Sequence, residues 1–227
     1  QGLEFPGPIS NNELFPCIGL VVSGGHTSLF NCSSPLELEL LGATADDAAG
    51  EAFDKVAQLL GLGYPGGPAI QWAAQGGNRH AHRLPRAFLR ESRLDFSFSG
   101  LKTAVLYGLA TPSAQRDAES PILGTSLNLS DIRRPMGQDL ADWAASFQEA
   151  VVDVLVEKCR QAVHQQNARR LCVGGGVAAN QRLRQRLLEM ARQETIQLVI
   201  PPLSLCTDNA AMVALAVEKM RLGVADP

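Results

Sequence analysis

Two glycine runs, each directly after a short apolar segment, are the residues of this chain best suited to chemistry. In the first, Val21-Val22-Ser23-Gly24-Gly25-His26-Thr27, the missing Cβ atoms let backbone N–H groups approach an anion or a nucleotide phosphate, and Ser23 and Thr27 add hydroxyl donors. A glycine hairpin carrying an exposed histidine reads equally well from this motif alone. The second run, Gly174-Gly175-Gly176-Val177-Ala178-Ala179-Asn180, opens a helical pattern, so free N–H groups and the positive end of a helix dipole meet at one spot. It lacks the G-x-G-x-x-G spacing and no P-loop lysine follows it, which excludes a Rossmann or Walker assignment. A tight strand-to-helix turn is its plain alternative.

Carboxylates come next. Asp54, in Gly50-Glu51-Ala52-Phe53-Asp54-Lys55, stands on a helical face just before Tyr64-Pro65-Gly66-Gly67-Pro68, where it could hold ribose or other hydroxyls. Asp208, in Cys206-Thr207-Asp208-Asn209-Ala210-Ala211-Met212, reads either as a helix N-cap or as a hard oxygen ligand for a divalent cation. The histidines are His26, His80, His82 and His164, so no pair has the i, i+4 spacing that would put two imidazoles on one helical face. His80-Ala-His82 lies in a basic stretch with Arg79, Arg83, Arg86, Arg90 and Arg93, read as a solvated loop and face with phosphate contact as the lesser alternative. No Ser-His-Asp or Cys-His arrangement follows from spacing.

The elements that must position these residues can be read from periodicity. Residues 17–22, 27–31 and 36–41 read as three strands in a meander. A helix follows from Asp46 to Leu60 behind an acidic first turn, then short helices at 68–74, with Pro68 at the first position, and at 99–109. Residues 111–138 hold Pro112, Pro121 and Pro135 without a sustained period, so a loop or insertion is expected over 110–138. The longest helix is predicted at 139–166, then a strand at 171–173, a helix at 180–193, a strand at 197–200 and a helix at 208–222. The order is βββαβαβα with inserted helices, an α/β class with a mixed sheet, and no linker divides residues 1–227 into two domains.

Composition narrows the partners. With 227 residues, 45% of them hydrophobic, and a net charge of −3, the chain is expected to build a core and carries no global basic field for nucleic acid or anionic lipid. No apolar run reaches the length of a membrane span, so no membrane partner and a cytoplasmic location are expected. The five cysteines, Cys17, Cys32, Cys159, Cys172 and Cys206, are widely spaced without a C-x-x-C pair and are expected to be buried reduced thiols. A start at Gln1 in a Pro/Gly-rich stretch suggests a fragment or a processed product.

Taken in order, SGGHT, DDAAGEAFDK, GYPGGP, DFSFSGLKT, GGGVAAN and CTDNAAM, from residue 23 to residue 212, resemble the bacterial TsaD family of tRNA threonylcarbamoyl transferases, once labelled O-sialoglycoprotein endopeptidases or Gcp. The resemblance implies the actin-like ATPase (sugar-kinase and Hsp70) fold, with this chain as one ribonuclease-H-like lobe. It implies transfer of a threonylcarbamoyl group from threonylcarbamoyl-AMP to adenosine 37 of tRNAs that read codons beginning with A. By the same match Val21, Val22, Ser23, Gly24, Gly25, Asp54, Gly67 and Asn180 would surround the adenylate, and Asp208 would bind an active-site divalent metal, iron or zinc. Partners would be tRNA, a TsaB-like paralogue and a TsaE-like ATPase. Lys102 is a possible electrostatic contributor without an assigned role.

Members of the family carry an N-terminal half with a first phosphate loop and an H-x-x-x-H metal pair, and this sequence has neither, so the chain corresponds to the second lobe and is expected to be inactive alone. The segment 109–138 is longer than the family pattern, and Leu84-Pro85-Arg86 stands where a phenylalanine would precede the proline. Three other readings are weighed. A metalloprotease lacks its histidine pair and general-base glutamate. A non-catalytic scaffold has no need of two nucleotide loops. A kinase of the same superfamily would be revealed by a phosphorylated product.

Overall fold

The computed structural model describes residues 14–35, 37–111 and 132–206. Strands β1 (Cys17–Val22), β2 (Thr27–Cys32) and β3 (Leu38–Ala43) form the expected meander, with β3 lying two residues later than its apolar pattern suggested. Four helices follow: α1 (Ala49–Leu59), α2 (Gly66–Ala73), α3 (Ser99–Leu109) and the 29-residue α4 (Gly137–Gln165). Then come β4 (Arg170–Gly174), a short turn of 3₁₀ helix (Gly176–Ala179), α5 (Gln181–Gln193) and β5 (Gln197–Val199). The predicted helix at 208–222 and most of the predicted insertion lie outside the described residues. Among those residues no helix is long and apolar enough to cross a membrane.

The five strands form one sheet in the order β3-β2-β1-β4-β5. β1 pairs antiparallel with β2 and parallel with β4, and β4 pairs parallel with β5. Helix α4 closes one face. Its Phe147, Val151, Val154 and Leu155 are fully buried, as are Ile18, Leu20 and Leu171 of the central strands, and Phe147 meets Phe53 of α1 edge to face with ring centroids 5.2 Å apart. Each such side chain contributes about 1.5–3 kcal/mol by leaving water.

Two local readings are corrected. Pro68 sits third in α2, after Gly66 and Gly67, because Pro65 occupies the N-cap; a proline is tolerated there since the first N–H groups of a helix have no intrahelical acceptor. Asp46 does not serve the helix that follows it. Its carboxylate accepts from the N–H groups of Phe98 (2.8 Å) and Ser99 (3.2 Å) and from the hydroxyls of Ser97 (2.5 Å) and Ser99 (2.6 Å), closing the start of α3 fifty residues away. Burial pushes the Asp46 carboxyl up, but these donors outweigh it and hold it below its ordinary value. A carboxylate whose folded pKa is depressed lends stability above its unfolded pKa, about 3.9, and that contribution disappears as pH falls through the lower folded value. Acid-unfolding curves of Asp46→Asn should therefore be flatter than wild type below about pH 4; identical curves would show that the helix start does not depend on this charge.

All five cysteines are reduced, four of them buried and Cys172 half-buried. The basic stretch is less solvated than its composition suggested. Arg86 pairs with Asp153 (2.9 Å), Arg93 with Asp95 (3.0 Å), and Arg79 approaches Glu149 at 3.9 Å, while Arg83 and Arg90 are exposed. His82 is not a solvated loop residue either: its ring stacks on Trp143 at 3.5 Å with an 11° tilt, its backbone N–H donates to Ser146 Oγ, and burial pushes its pKa down. These partners lie on α4 some sixty residues away in sequence, where no local pattern could point to them.

Candidate functional site

β1 ends in a tight turn. Ser23 N–H donates to His26 O (2.8 Å), and His26 N–H to Ser23 Oγ (3.1 Å), so Ser23 is occupied in shaping the turn while Gly24 and Gly25 stand in open space. The start of α1 is docked under that turn: Ala49 N–H donates to the buried Thr27 Oγ1 (2.9 Å) and Gly50 N–H to Ser23 O (3.1 Å). Gly50 is required at this contact, because a Cβ there would lie 2.6 Å from Ser23 O. The second run leaves β4, the parallel neighbour of β1, so both glycine turns emerge at the same end of the sheet. Gly175 has φ of +101°, and a Cβ on it would lie 2.3 Å from Val22 O, so the two turns are packed backbone to backbone.

Asp54 of α1 binds this assembly to α2, its Oδ1 accepting from Gly66 N–H at 2.7 Å. Asn180 caps α5 by accepting from Leu183 N–H (3.0 Å) and donates to Gln148 Oε1 of α4 (2.9 Å). An amide has two N–H donors and two acceptor lone pairs, so each end of Asn180 retains one unspent site. Between these groups lies a cavity of about 360 Å³ whose lining includes Gly24, Asp54, Gly67, Gly176 and Asn180, with the exposed Tyr64 at its edge. A space of this size at the carboxyl ends of parallel strands is where open α/β sheets take ligands.

Four of the residues singled out by sequence thus meet at one cavity: Gly24, Asp54, Gly67 and Asn180. Ser23 and Gly25 belong to the turn but not to the lining. Val22 is fully buried with its side chain in the core, and Val21, half-exposed, faces the opposite side of the sheet, so both can offer only backbone. Lys102 of α3 lines neither this cavity nor the next. Asp208 lies outside the described residues. Among the described residues no group of three or more His, Cys, Asp or Glu side chains could hold a metal ion.

Sequence reasoning missed a second cavity of about 550 Å³, which shares Gln71 with the first and is lined also by Gln75, Asn78, Arg79, Gln148 and Arg182. Gln71 Oε1 accepts from Gln181 N–H at 2.7 Å and so fixes the wall between the two spaces. Arg182 is held from beneath. Its Nε and Nη2 each reach an oxygen of Glu149 at 2.7 Å, and Arg186 Nη1 reaches the same carboxylate at 2.7 Å. Burial pushes Glu149 up, yet Arg182, Arg186 and Arg79 outweigh it and keep the carboxyl below its ordinary range. The one available signal was Gln71 four residues after Gly67, on the same face of a helix that glycines begin.

The tRNA N6-adenosine threonylcarbamoyltransferase of Rhodopirellula baltica is 49% identical over 216 residues, a match covering 91% of this chain and 57% of the relative. That of Bordetella bronchiseptica is 48% identical over 213 residues, covering 93% and 57%. The chain therefore spans little more than half the length of these relatives. Among solved structures, full-length HypF in its phosphate- and nucleotide-bound form superposes with a TM-score of 0.60 at 13% identity, covering 93% of this chain and 34% of that one, which shows a shared fold. The family model for TsaD, tRNA N6-adenosine threonylcarbamoyltransferase, matches residues 3–215, and the chain belongs to that family.

Proposed function

We propose that this chain is the nucleotide-holding lobe of a two-lobe enzyme that transfers the threonylcarbamoyl group of threonylcarbamoyl-AMP to N6 of adenosine 37 in tRNAs reading codons that begin with A. The observation that carries the reading is the single cavity lined by Gly24, Asp54, Gly67 and Asn180. In it, the exposed backbone of Gly24 suits the phosphate and carbamoyl oxygens of a mixed anhydride. Asp54 keeps a carboxylate oxygen to accept from a ribose hydroxyl. Asn180 is clamped at both ends, so its remaining donor and acceptor are already oriented. Donors fixed in advance at an oxygen that gains negative charge stabilise an acyl-transfer transition state without having to reorganise. Val21, Val22, Ser23 and Gly25 contribute by holding the turn. Asp208 is this chain's proposed ligand for a divalent iron or zinc ion, which would supply Lewis-acid polarisation when bound. A TsaB-like paralogue and a TsaE-like ATPase are the proposed partners, with tRNA, in the cytoplasm.

The test is Asp54→Asn in the full-length protein. Asparagine preserves the acceptor for Gly66 N–H and removes the charge. Losing a hydrogen bond to a charged acceptor costs about 1.5–3 kcal/mol, so affinity for a non-hydrolysable threonylcarbamoyl-adenylate analogue should fall roughly 10- to 100-fold by calorimetry, with a parallel loss of modified adenosine in tRNA digests. Unchanged affinity in a normally folded variant would remove Asp54 from the site and, with it, the reading of this cavity.

A further inference from the structure

Two large rings stand in water beside the cavities. Tyr64 is 87% exposed and Trp72 73%. Tyr64 and Pro68 line the smaller cavity, and Trp72 follows one helical turn after Pro68, next to Gln71, the wall that both cavities share. A single exposed ring would need no account, but these two flank a polar surface. Further along the chain the larger cavity offers the amides of Gln75, Asn78 and Gln185 and the guanidinium groups of Arg79 and Arg182. A third cavity, of about 450 Å³, is lined by Arg83, Arg86 and Arg90. Arg79, Arg86, Arg182 and Arg186 share the acids Glu149 and Asp153. Arg83 and Arg90, by contrast, are exposed and form no ion pair among the described residues. Their loop is held in place, because Lys158 donates to the carbonyls of Phe88, Glu91 and Arg93.

We propose that this surface binds an unpaired RNA segment, with Trp72 as a stacking platform and Arg83 and Arg90 as phosphate contacts. The inference rests on the proposed function, which makes that segment the tRNA loop carrying the acceptor adenosine. Three chemistries select this partner together. A base can stack on an exposed ring only when it is splayed out of a helix, which single strands offer and duplexes do not. Side-chain amides both donate and accept, as the edge of a nucleobase does. Guanidinium groups without an acid of their own neutralise backbone phosphates. A duplex would satisfy the arginines and leave the rings idle. With a net charge of −3 the chain exerts no general attraction on RNA, so the contact is confined to this surface.

The experiment follows the fluorescence anisotropy of a labelled RNA stem-loop with the adenosine in its loop, and of an RNA duplex of equal length, on titration with the full-length protein at several salt concentrations. Trp72→Ala should weaken stem-loop binding roughly 5- to 100-fold and duplex binding little, and Trp72→Phe should recover most of the loss. Arg83→Ala combined with Arg90→Ala should flatten the slope of log affinity against log salt by roughly 1.4, about 0.7 for each single-strand phosphate contact removed. All these variants should bind the threonylcarbamoyl-adenylate analogue as wild type does, since none of the three residues lines the smaller cavity. Unchanged stem-loop affinity in Trp72→Ala, an equal loss on the duplex, or an unchanged slope in the double variant would each overturn the proposal, as would a wild-type protein that binds the analogue but no RNA. RNA binding that depends on these residues, in a protein whose Asp54→Asn variant keeps its affinity for the analogue, would support this surface and remove only the reading of the smaller cavity.

Discussion

Glu149→Ala should lower the thermal unfolding midpoint by roughly 6–20 °C, one of the largest losses expected from a single substitution outside the apolar core. The carboxylate is 4% exposed and accepts from Arg182 twice and Arg186 once, with Arg79 3.9 Å away. Removing it leaves the Arg182 guanidinium, itself 13% exposed, charged and without its acid. Breaking a buried pair in this way costs about 3–5 kcal/mol, mostly because the surviving charge is stranded rather than because the pair was worth that much. Glu149→Gln keeps the shape and some acceptor capacity, so its loss should be smaller, and Glu149→Leu combined with Arg182→Met should recover part of it. Calorimetric scans of the three variants check the ranking. A midpoint in Glu149→Ala within a degree or two of wild type would mean that solvent reaches Arg182 more freely than its burial indicates. Arg182 lines the larger cavity, so the same substitution should also loosen that wall.

Lys158→Met is the second large effect. Lys158 is a fully buried lysine whose ammonium donates to the carbonyls of Phe88 (2.6 Å), Glu91 (2.9 Å) and Arg93 (2.6 Å) and lies 3.0 Å from Gln161 Oε1. One cation thereby organises a loop that has no ladder of its own and includes Phe88 at φ +56°. Methionine fills the space but donates nothing, and three carbonyls are left to find water. Hydrogen bonds to a charged group are worth about 1.5–3 kcal/mol each, and the charge no longer has to be desolvated, so a net loss of about 3 kcal/mol is expected. Chemical denaturation measures the loss, and hydrogen exchange should accelerate across residues 84–95 more than in β1 or β4. Uniform exchange rates with unchanged stability would contradict the assignment.

The sequence carried some of this and not the rest, for physical reasons. β1 and α3 were legible to the residue because a bounded apolar run and a clean helical period are local signals. The placing of Asp54 near Gly67 was also legible, since α1 and α2 are joined by only six residues and the glycine-proline turn forces them together. Asp46 was misread because an acidic residue before a helix fits the helix that follows it, whereas its partners lie beyond α2. Nothing local marks Lys158 and Glu149 for burial. They are buried because α4 is surrounded by other elements, a fact of packing that periodicity within α4 does not contain.

Ser23 and Gly175 are separated by about 150 residues of chain, yet their turns leave adjacent parallel strands about 4.8 Å apart at the root. Closing a loop of that length costs conformational entropy that grows only slowly with the number of residues enclosed, and here folding has already absorbed it. A ligand reaching between the two turns meets walls whose separation is set by backbone hydrogen bonds rather than by its own arrival. Binding energy therefore does not have to be spent on assembling the receptor, and the affinity of this cavity reports contact quality directly.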